Sequence, residues 1–126
     1  RVSIADILVM RPELLILDEP FSALDPKHAQ MIDQILAQLA HSGITVVIAT
    51  HNAAQAYRWA DRVVILHEGR IEAEGAPEQI FSDRALLQRT NLLPPDLLLL
   101  TQKLQQKGLI AADASPRTVE ELCALL

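Results

Sequence analysis

The 126-residue sequence is poor in cysteine, in glycine and in aromatic residues, and it shows no cluster of basic residues. Its single cysteine, Cys123, cannot form an internal disulfide, which is typical of a protein in a reducing compartment. Lysine and arginine total 11 against 16 acidic residues, for a net charge of -5. A polyanion-binding surface needs clustered basic residues, so we expect no nucleic-acid partner.

Long hydrophobic runs are also missing. The longest, residues 97–100 and 44–49, fall far short of the roughly 20 residues that cross a bilayer. We expect no signal peptide, because the first apolar stretch is short and carries Asp6. Half of the residues are hydrophobic and 21% are charged, which is the balance of a globular chain of one domain at most. The first residue, Arg1, opens directly into an apolar pattern, so we expect a chain that begins inside a longer one.

The first part of the sequence predicts a parallel strand–helix–strand unit. An unbroken apolar run over residues 14–17 and a β-branched run over 44–49, interrupted only by Thr45, are typical of strands buried on both faces. Between them, apolar residues recur at helical spacing over residues 27–40, with Asp25 placed as the N-cap. A further helix is expected over residues 2–10, before the first strand.

The second part predicts short elements in close succession. A helix over residues 51–59 precedes a hairpin, whose strands over 62–66 and 70–74 flank a turn at Glu68 and Gly69. The further predicted helices cover residues 77–81, 84–88, 96–107 and 118–126, the last with a capping box.

Two features of the last part of the sequence have ordinary structural readings. Leu97, Leu100 and Leu104 are expected to form the apolar stripe of the helix over residues 96–107. Cys123 is expected to be a small buried apolar residue.

Acidic and imidazole side chains follow the two predicted strands. Asp18 and Glu19 come after the first strand, and His51 comes after the second. Carboxyl ends of parallel strands meet at one rim, where ligands bind, and Asp25 returns to that rim in the turn. An aspartate and a glutamate there can hold Mg²⁺ and accept a proton from water, and a histidine can donate to a phosphoryl oxygen.

Each residue also has a reading that involves no chemistry. Asp18 can cap the following turn, and Asp25 is first of all a helix N-cap. A histidine after a strand is more often a cap or a surface residue than a ligand. The joint pattern is therefore more informative than any single residue.

Three segments together resemble the nucleotide-binding domain of ABC transporters. Residues 14–20 resemble the Walker B strand with its catalytic glutamate, residues 22–25 the D-loop, and residues 46–51 the H-loop strand and histidine. The resemblance covers about residues 1–90, and residues 1–5 are similar to the helix after the signature loop. It implies an α/β fold with a P-loop NTPase-like parallel sheet.

The resemblance also implies a division of the chain. Residues 1–91 would be a partial ABC ATPase domain, and residues 92–126 a helical extension. That extension is similar to the C-terminal part of energy-coupling-factor ATPases, which drive uptake of cobalt, nickel or vitamins.

Site roles and partners follow from the resemblance. Asp18 would hold Mg²⁺, Glu19 would be the general base or polarise the attacking water, and His51 would contact the γ-phosphate of ATP. Ser22 and Asp25 would face a second ATPase subunit, identical or similar. A transmembrane transporter subunit would place the protein at the cytoplasmic face of the cell membrane, whereas the chain alone would be soluble in the cytoplasm.

The sequence departs from the family pattern in what it lacks. None of its four glycines belongs to a G-x-x-x-x-G-K-[ST] loop, whose backbone N–H groups cradle phosphates. The glutamine loop and the signature loop are absent too, and Asp6 replaces a usually small or basic residue. We therefore expect these residues to be the C-terminal half of an ABC ATPase, inactive when alone. Two alternatives stay open, namely a non-catalytic module that docks on a transporter, and a soluble ABC-class ATPase without a membrane partner.

Overall fold

A computed structural model describes residues 6, 9–22 and 25–126. The chain divides into two compact units, Arg1–His51 and Asn52–Leu126. The helix expected over residues 2–10 and the middle of the 22–25 segment lie largely outside the described residues. Within the part of the chain that is described, no helix is both long enough and apolar enough to span a bilayer.

The first unit contains the predicted strand–helix–strand arrangement. Strand β1 (Leu14–Asp18), helix α1 (Pro26–His41) and strand β2 (Thr45–Ala49) follow one another. The two strands pair in parallel, with Leu14 opposite Thr45 and Asp18 opposite Ala49. Asp25 caps α1, which ends before Ser42 and Gly43, where the φ of Gly43 is +82°. The parallel unit and its caps are confirmed.

The expectation that both faces of this sheet are buried is wrong. Leu14, Ile16 and Val47 are 52%, 66% and 48% exposed, and exposed residues alternate with half-buried ones along both strands. The physical reason is the size of the unit: β1 and β2 pair only with each other among the described strands. Helix α1, which carries the buried Leu36 and Leu39, can cover only one face of a two-stranded sheet.

The second unit contains five short helices and one two-stranded hairpin. Helix α2 begins at Ala53 rather than at residue 51, because the Asn52 side chain caps it by accepting from the backbone N–H of Gln55 at 3.1 Å. The elements are α2 (Ala53–Trp59), β3 (Val63–His67), β4 (Arg70–Gly75), α3 (Pro77–Ser82), α4 (Arg84–Arg89), α5 (Asp96–Gln106) and α6 (Val119–Ala124).

The predicted hairpin forms between β3 and β4. The strands pair antiparallel, with an irregularity between Ile65 and Leu66. Glu68 and Gly69 make the turn with φ values of +50° and +74°, the left-handed backbone that a tight hairpin turn requires. Glycine adopts this conformation freely, whereas Glu68 does so at a steric cost.

One hydrophobic core unites the second unit. The rings of Tyr57 and Phe81 meet edge to face, with centroids 6.2 Å apart, at its centre. Leu98 of α5 belongs to the same core, so the segment after residue 91 packs with the hairpin and the helices before it. The buried members are Tyr57, Val63, Ile65, Ile80, Phe81, Leu86, Leu87 and Leu98.

The buried face of α5 differs from the predicted stripe of Leu97, Leu100 and Leu104. Leu98 and Thr101 are only 5% and 2% exposed, whereas Leu100 is 51% exposed. The Thr101 hydroxyl donates to the carbonyl of Leu97 at 2.7 Å, which satisfies it inside the core. The buried face of α5 therefore includes a polar residue, Thr101. A prediction that uses only the spacing of apolar residues chooses the neighbouring face of the helix instead.

Helix α6 also differs in detail from its prediction. Thr118 accepts from the Glu121 N–H at 3.1 Å, as a capping box requires, but Glu121 Oε2 accepts from the N–H of Arg117, at 2.7 Å. Leu122 is the buried residue of this helix. Cys123 is exposed, so the expectation of a buried cysteine is wrong: the short helix buries one side, which Leu122 occupies.

Arg117 ties the end of the chain to α2 and α3. Its Nη1 donates to the carbonyls of Tyr57 and Ala60, at 2.8 and 3.2 Å, at the C-terminal end of α2. Its Nη2 lies 2.5 Å from Glu78 Oε1, which also accepts from the Ser115 hydroxyl at 2.7 Å. A cation here satisfies helix carbonyls that have no partner within the helix.

Candidate functional site

The parallel register places the residues after β1 beside those after β2. Asp18 lies opposite Ala49, and the next residue, Glu19, donates its N–H to the Ala49 carbonyl at 2.8 Å. This bond extends the strand pairing by one residue. Glu19 therefore lies alongside Thr50 and His51, although some thirty residues separate them in the chain.

The carboxylate of Glu19 receives three hydrogen bonds from this segment. Its Oε1 accepts from the backbone N–H of His51 at 2.9 Å and lies 2.6 Å from His51 Nδ1. Its Oε2 accepts from the Thr50 hydroxyl at 3.2 Å. The bond from the His51 ring, followed by the bonds from the His51 N–H and Thr50, lowers the pKa of Glu19 against the opposing effect of burial. Glu19 is consequently ionised at neutral pH.

The backbone at Glu19 is strained. Its φ is +47°, in the left-handed region that is unfavourable for residues with a Cβ. Its carbonyl accepts from the Ser22 N–H at 3.2 Å, which closes the turn after β1. Glu68 has the same left-handed backbone in the hairpin turn, so this conformation marks a tight turn in both places, and at Glu19 that turn directly follows β1.

Asp18 ends β1 with an exposed carboxylate. No group of three metal-ligating side chains occurs within residues 9–22 and 25–126. Mg²⁺ does not need one, because it commonly takes one or two carboxylates and completes its shell with water and phosphate oxygens. Asp18 thus fits one ligand of a magnesium site that substrate phosphates would complete.

Asp25 and Ser22 lie in the turn before α1, and both are exposed. Asp25 Oδ1 accepts from the backbone N–H of His28 at 2.9 Å and lies 2.8 Å from His28 Nδ1. These bonds, the backbone one first, lower the pKa of Asp25. Asp25 is therefore a helix cap, and its carboxylate bonds His28 rather than the Glu19–His51 pair.

Sequence reasoning brought Glu19 and His51 to one rim, but it gave no role to Thr50 beside them and no contact to His28 beside Asp25. Thr50 contacts Glu19 directly, and its position before His51 was the available signal. His28 pairs with Asp25, and the signal was its place three residues after a capping aspartate. Threonine in a strand and histidine on a helix are both common for structural reasons, so neither stands out in a sequence.

Searches among known proteins found relatives along the whole chain, although no family model matches it. The energy-coupling factor transporter ATP-binding protein EcfA2 of Methanospirillum hungatei is 45% identical over 126 residues, which are 100% of this chain and 32% of that protein. EcfA2 of Streptococcus pyogenes serotype M5 is 40% identical over 126 residues, 100% of this chain and 45% of that one. A putative ABC transporter ATP-binding protein of Methanosarcina mazei is 37% identical over 122 residues, which are 97% of this chain and 27% of that protein.

Solved structures give the same result. The cbiO1 protein of Clostridium perfringens, part of the ABC transporter complex cbiONQ, is 36% identical with a TM-score of 0.56, over 79% of this chain and 40% of that one. MJ1267, an ATP-binding cassette of an ABC transporter in its ADP conformation, is 26% identical with a TM-score of 0.58, over 68% of this chain and 35% of that one. The predicted α/β fold class and family resemblance are confirmed. The chain spans less than half the length of these relatives.

Proposed function

The chain is homologous over its whole length to the ATP-binding proteins of ABC transporters, and on this premise we propose that it is part of an ATP-hydrolysing transporter subunit. The proposed transporter is an importer of the energy-coupling-factor type, with cobalt, nickel or a vitamin as its cargo. Support comes from relatives that carry the energy-coupling-factor name and from the similarity to cbiO1.

The observation that carries the proposal is the contact between Glu19 and His51. A carboxylate and an imidazole lie 2.6 Å apart at the carboxyl ends of two parallel strands, where open α/β sheets bind ligands. The His51 side chain is 81% exposed, so a phosphate can reach its ring. An ionised carboxylate beside a hydrogen-bond donor is the pair that water attack on a phosphoryl group needs.

Each residue has a proposed role in this reaction. Glu19 acts as the general base or polarises the attacking water. His51 donates to the γ-phosphate of ATP, whose charge grows in the transition state. Asp18 holds Mg²⁺, which neutralises phosphate charge when bound. When the His51 ring turns from Glu19 to a phosphate, Glu19 loses a donor that lowers its pKa and becomes a stronger base.

The partners are proposed from exposure and family. Ser22 and Asp25 are exposed at the turn and face a second ATPase subunit, identical or similar. A transmembrane subunit binds the pair at the cytoplasmic face of the membrane.

Hydrolysis by the full-length protein that contains these residues tests the proposal. We expect Glu19→Gln to lower kcat by about 100-fold or more while ATP binding is retained, because the variant keeps the shape but not the base. Glu13→Gln is the matched control, since Glu13 is exposed just before the other end of β1. Equal rates for the two variants, or no hydrolysis by the wild type, would contradict the proposal.

A second candidate is a non-catalytic docking module. The exposed apolar side chains of Leu14, Ile16 and Val47 favour it, since such a face is suited to covering by another protein. Calorimetry tests whether the chain alone needs the missing loop: we expect the 126-residue chain to bind Mg-ATP no better than millimolar, because it has no phosphate-binding glycine loop. Micromolar binding would show that the loop is dispensable.

A further inference from the structure

Thr50 reaches the carboxylate of Glu19 from a different direction than His51 does. The Thr50 hydroxyl donates to Oε2 at 3.2 Å, whereas the N–H of His51, at 2.9 Å, and its ring Nδ1, at 2.6 Å, both bond Oε1. The two oxygens of one carboxylate thus have different partners. Thr50 bonds the oxygen that His51 leaves open.

The number of bonded oxygens decides whether a carboxylate can turn. A carboxylate held through one oxygen rotates about its last single bond, whereas one held through both keeps its plane. The exposed His51 ring can leave Glu19 for a phosphate. The His51 N–H on Oε1 and the Thr50 hydroxyl on Oε2 then still hold both oxygens.

We infer that Thr50 is a positioning residue that keeps the plane of the Glu19 carboxylate fixed while the His51 ring binds phosphate. The inference rests on the proposed function. The backbone supports it, because the Glu19 N–H donates to the Ala49 carbonyl at 2.8 Å. The segment formed by residues 49–51 therefore holds Glu19 at its backbone and at both carboxylate oxygens.

Substitutions that differ by one hydroxyl test the inference in the full-length protein. Thr50→Val keeps the shape and removes the donor, and we expect kcat to fall about tenfold with the KM for ATP unchanged. Thr50→Ser restores the donor, and its kcat should lie within about twofold of the wild type. Thr45→Val is the matched control, because Thr45 is exposed at the opposite end of β2. A Thr50→Val variant that matches Thr45→Val, a serine variant that fails to rescue, or a change in KM alone would overturn the inference.

A nuclear magnetic resonance measurement on the full-length protein separates this inference from the proposed function. We expect Thr50→Val to shift the signal of the Glu19 carboxyl carbon, and Thr45→Val to leave that signal in place. If the wild type hydrolyses ATP and neither the rate nor the Glu19 signal responds to Thr50→Val, the inference fails and the proposed function stands. If the wild type does not hydrolyse ATP, the function fails, and an unmoved Glu19 signal would also refute the role of Thr50.

Discussion

The guanidinium of Arg117 lies over the ring of Tyr57, 5.1 Å from its centroid, and donates to the Tyr57 carbonyl at 2.8 Å. One side chain near the end of the chain thus holds both the ring and the backbone of a residue in α2. Tyr57 is 1% exposed and lies in the core of the second unit. The stability of that unit should therefore depend on Arg117.

Removing Arg117 should destabilise the second unit. Arg117→Ala loses two bonds to helix carbonyls, the ion pair with Glu78 and the stacking on Tyr57, and we expect a loss of about 1–3 kcal/mol in the free energy of unfolding. Arg117→Lys keeps the charge but not the planar guanidinium, so its free energy of unfolding should lie between those of the wild type and Arg117→Ala. Urea unfolding measures both. Arg84→Ala, at an exposed arginine of α4, is the control, and an equal loss there would contradict the assignment.

Acid should weaken the ion pair between Arg117 and Glu78 by protonating Glu78. Burial raises the pKa of Glu78, but the bond from Ser115 and the charge of Arg117 outweigh it, so the pKa lies below its usual 4.5. A lowered pKa gives stability that is complete above pH 4.5 and is lost as the pH falls through the folded value. Unfolding measured from pH 6 to pH 3 should show this loss, and Glu78→Gln should make the curve flatter. An equally steep curve for the variant would refute the role of Glu78.

Two leucines of α5 should respond differently to the same substitution. Leu98 is 5% exposed in the core, so Leu98→Ala should cost about 2–5 kcal/mol through lost burial and the cavity left behind. Leu100 is 51% exposed, and Leu100→Ala should change stability by less than about 0.5 kcal/mol. Thermal or urea unfolding measures both losses. A larger loss for Leu100→Ala than for Leu98→Ala would show that the face of Leu97, Leu100 and Leu104 is the buried one after all.

The cap role of Asp25 can be separated from its proposed place at a subunit interface. Asp25→Asn keeps an oxygen for the His28 N–H, so α1 should stay as stable as in the wild type, whereas Asp25→Ala should lower its stability. Circular dichroism during thermal unfolding measures this. If Asp25 also faces a second subunit, Asp25→Asn in the full-length protein should weaken ATP-dependent dimerisation in light scattering. Unchanged dimerisation would leave Asp25 a helix cap and nothing more.

Local chemistry could be predicted from the sequence wherever one short segment decides the outcome. The cap at Asp25, the cap at Thr118 and the turn at Glu68 and Gly69 all depend on residues within three positions of one another. The contact between Glu19 and His51 could be predicted from the parallel direction of the two strands, because the carboxyl ends of parallel strands lie at the same edge of the sheet.

Contacts that depend on packing could not be predicted in this way. The buried face of α5 was misassigned because a threonine satisfies its hydroxyl within the helix and packs like an apolar residue. The contact of Arg117 with Tyr57 joins residues 60 positions apart, and no spacing rule reaches that far. The exposed face of β1 and β2 was missed because an apolar run shows what a strand can bury and not what covers it.

At Glu19, the residue that suits the left-handed backbone best is not the residue that the proposed reaction needs. Glycine takes a φ of +47° without steric cost, and asparagine tolerates it better than glutamate does. A selection for heat resistance alone would therefore enrich glycine or asparagine at residue 19, and each would remove the proposed base. Under the proposed function, survivors of such a screen would be well folded and would have lost ATP hydrolysis, so any attempt to stabilise this protein should keep residue 19 unchanged.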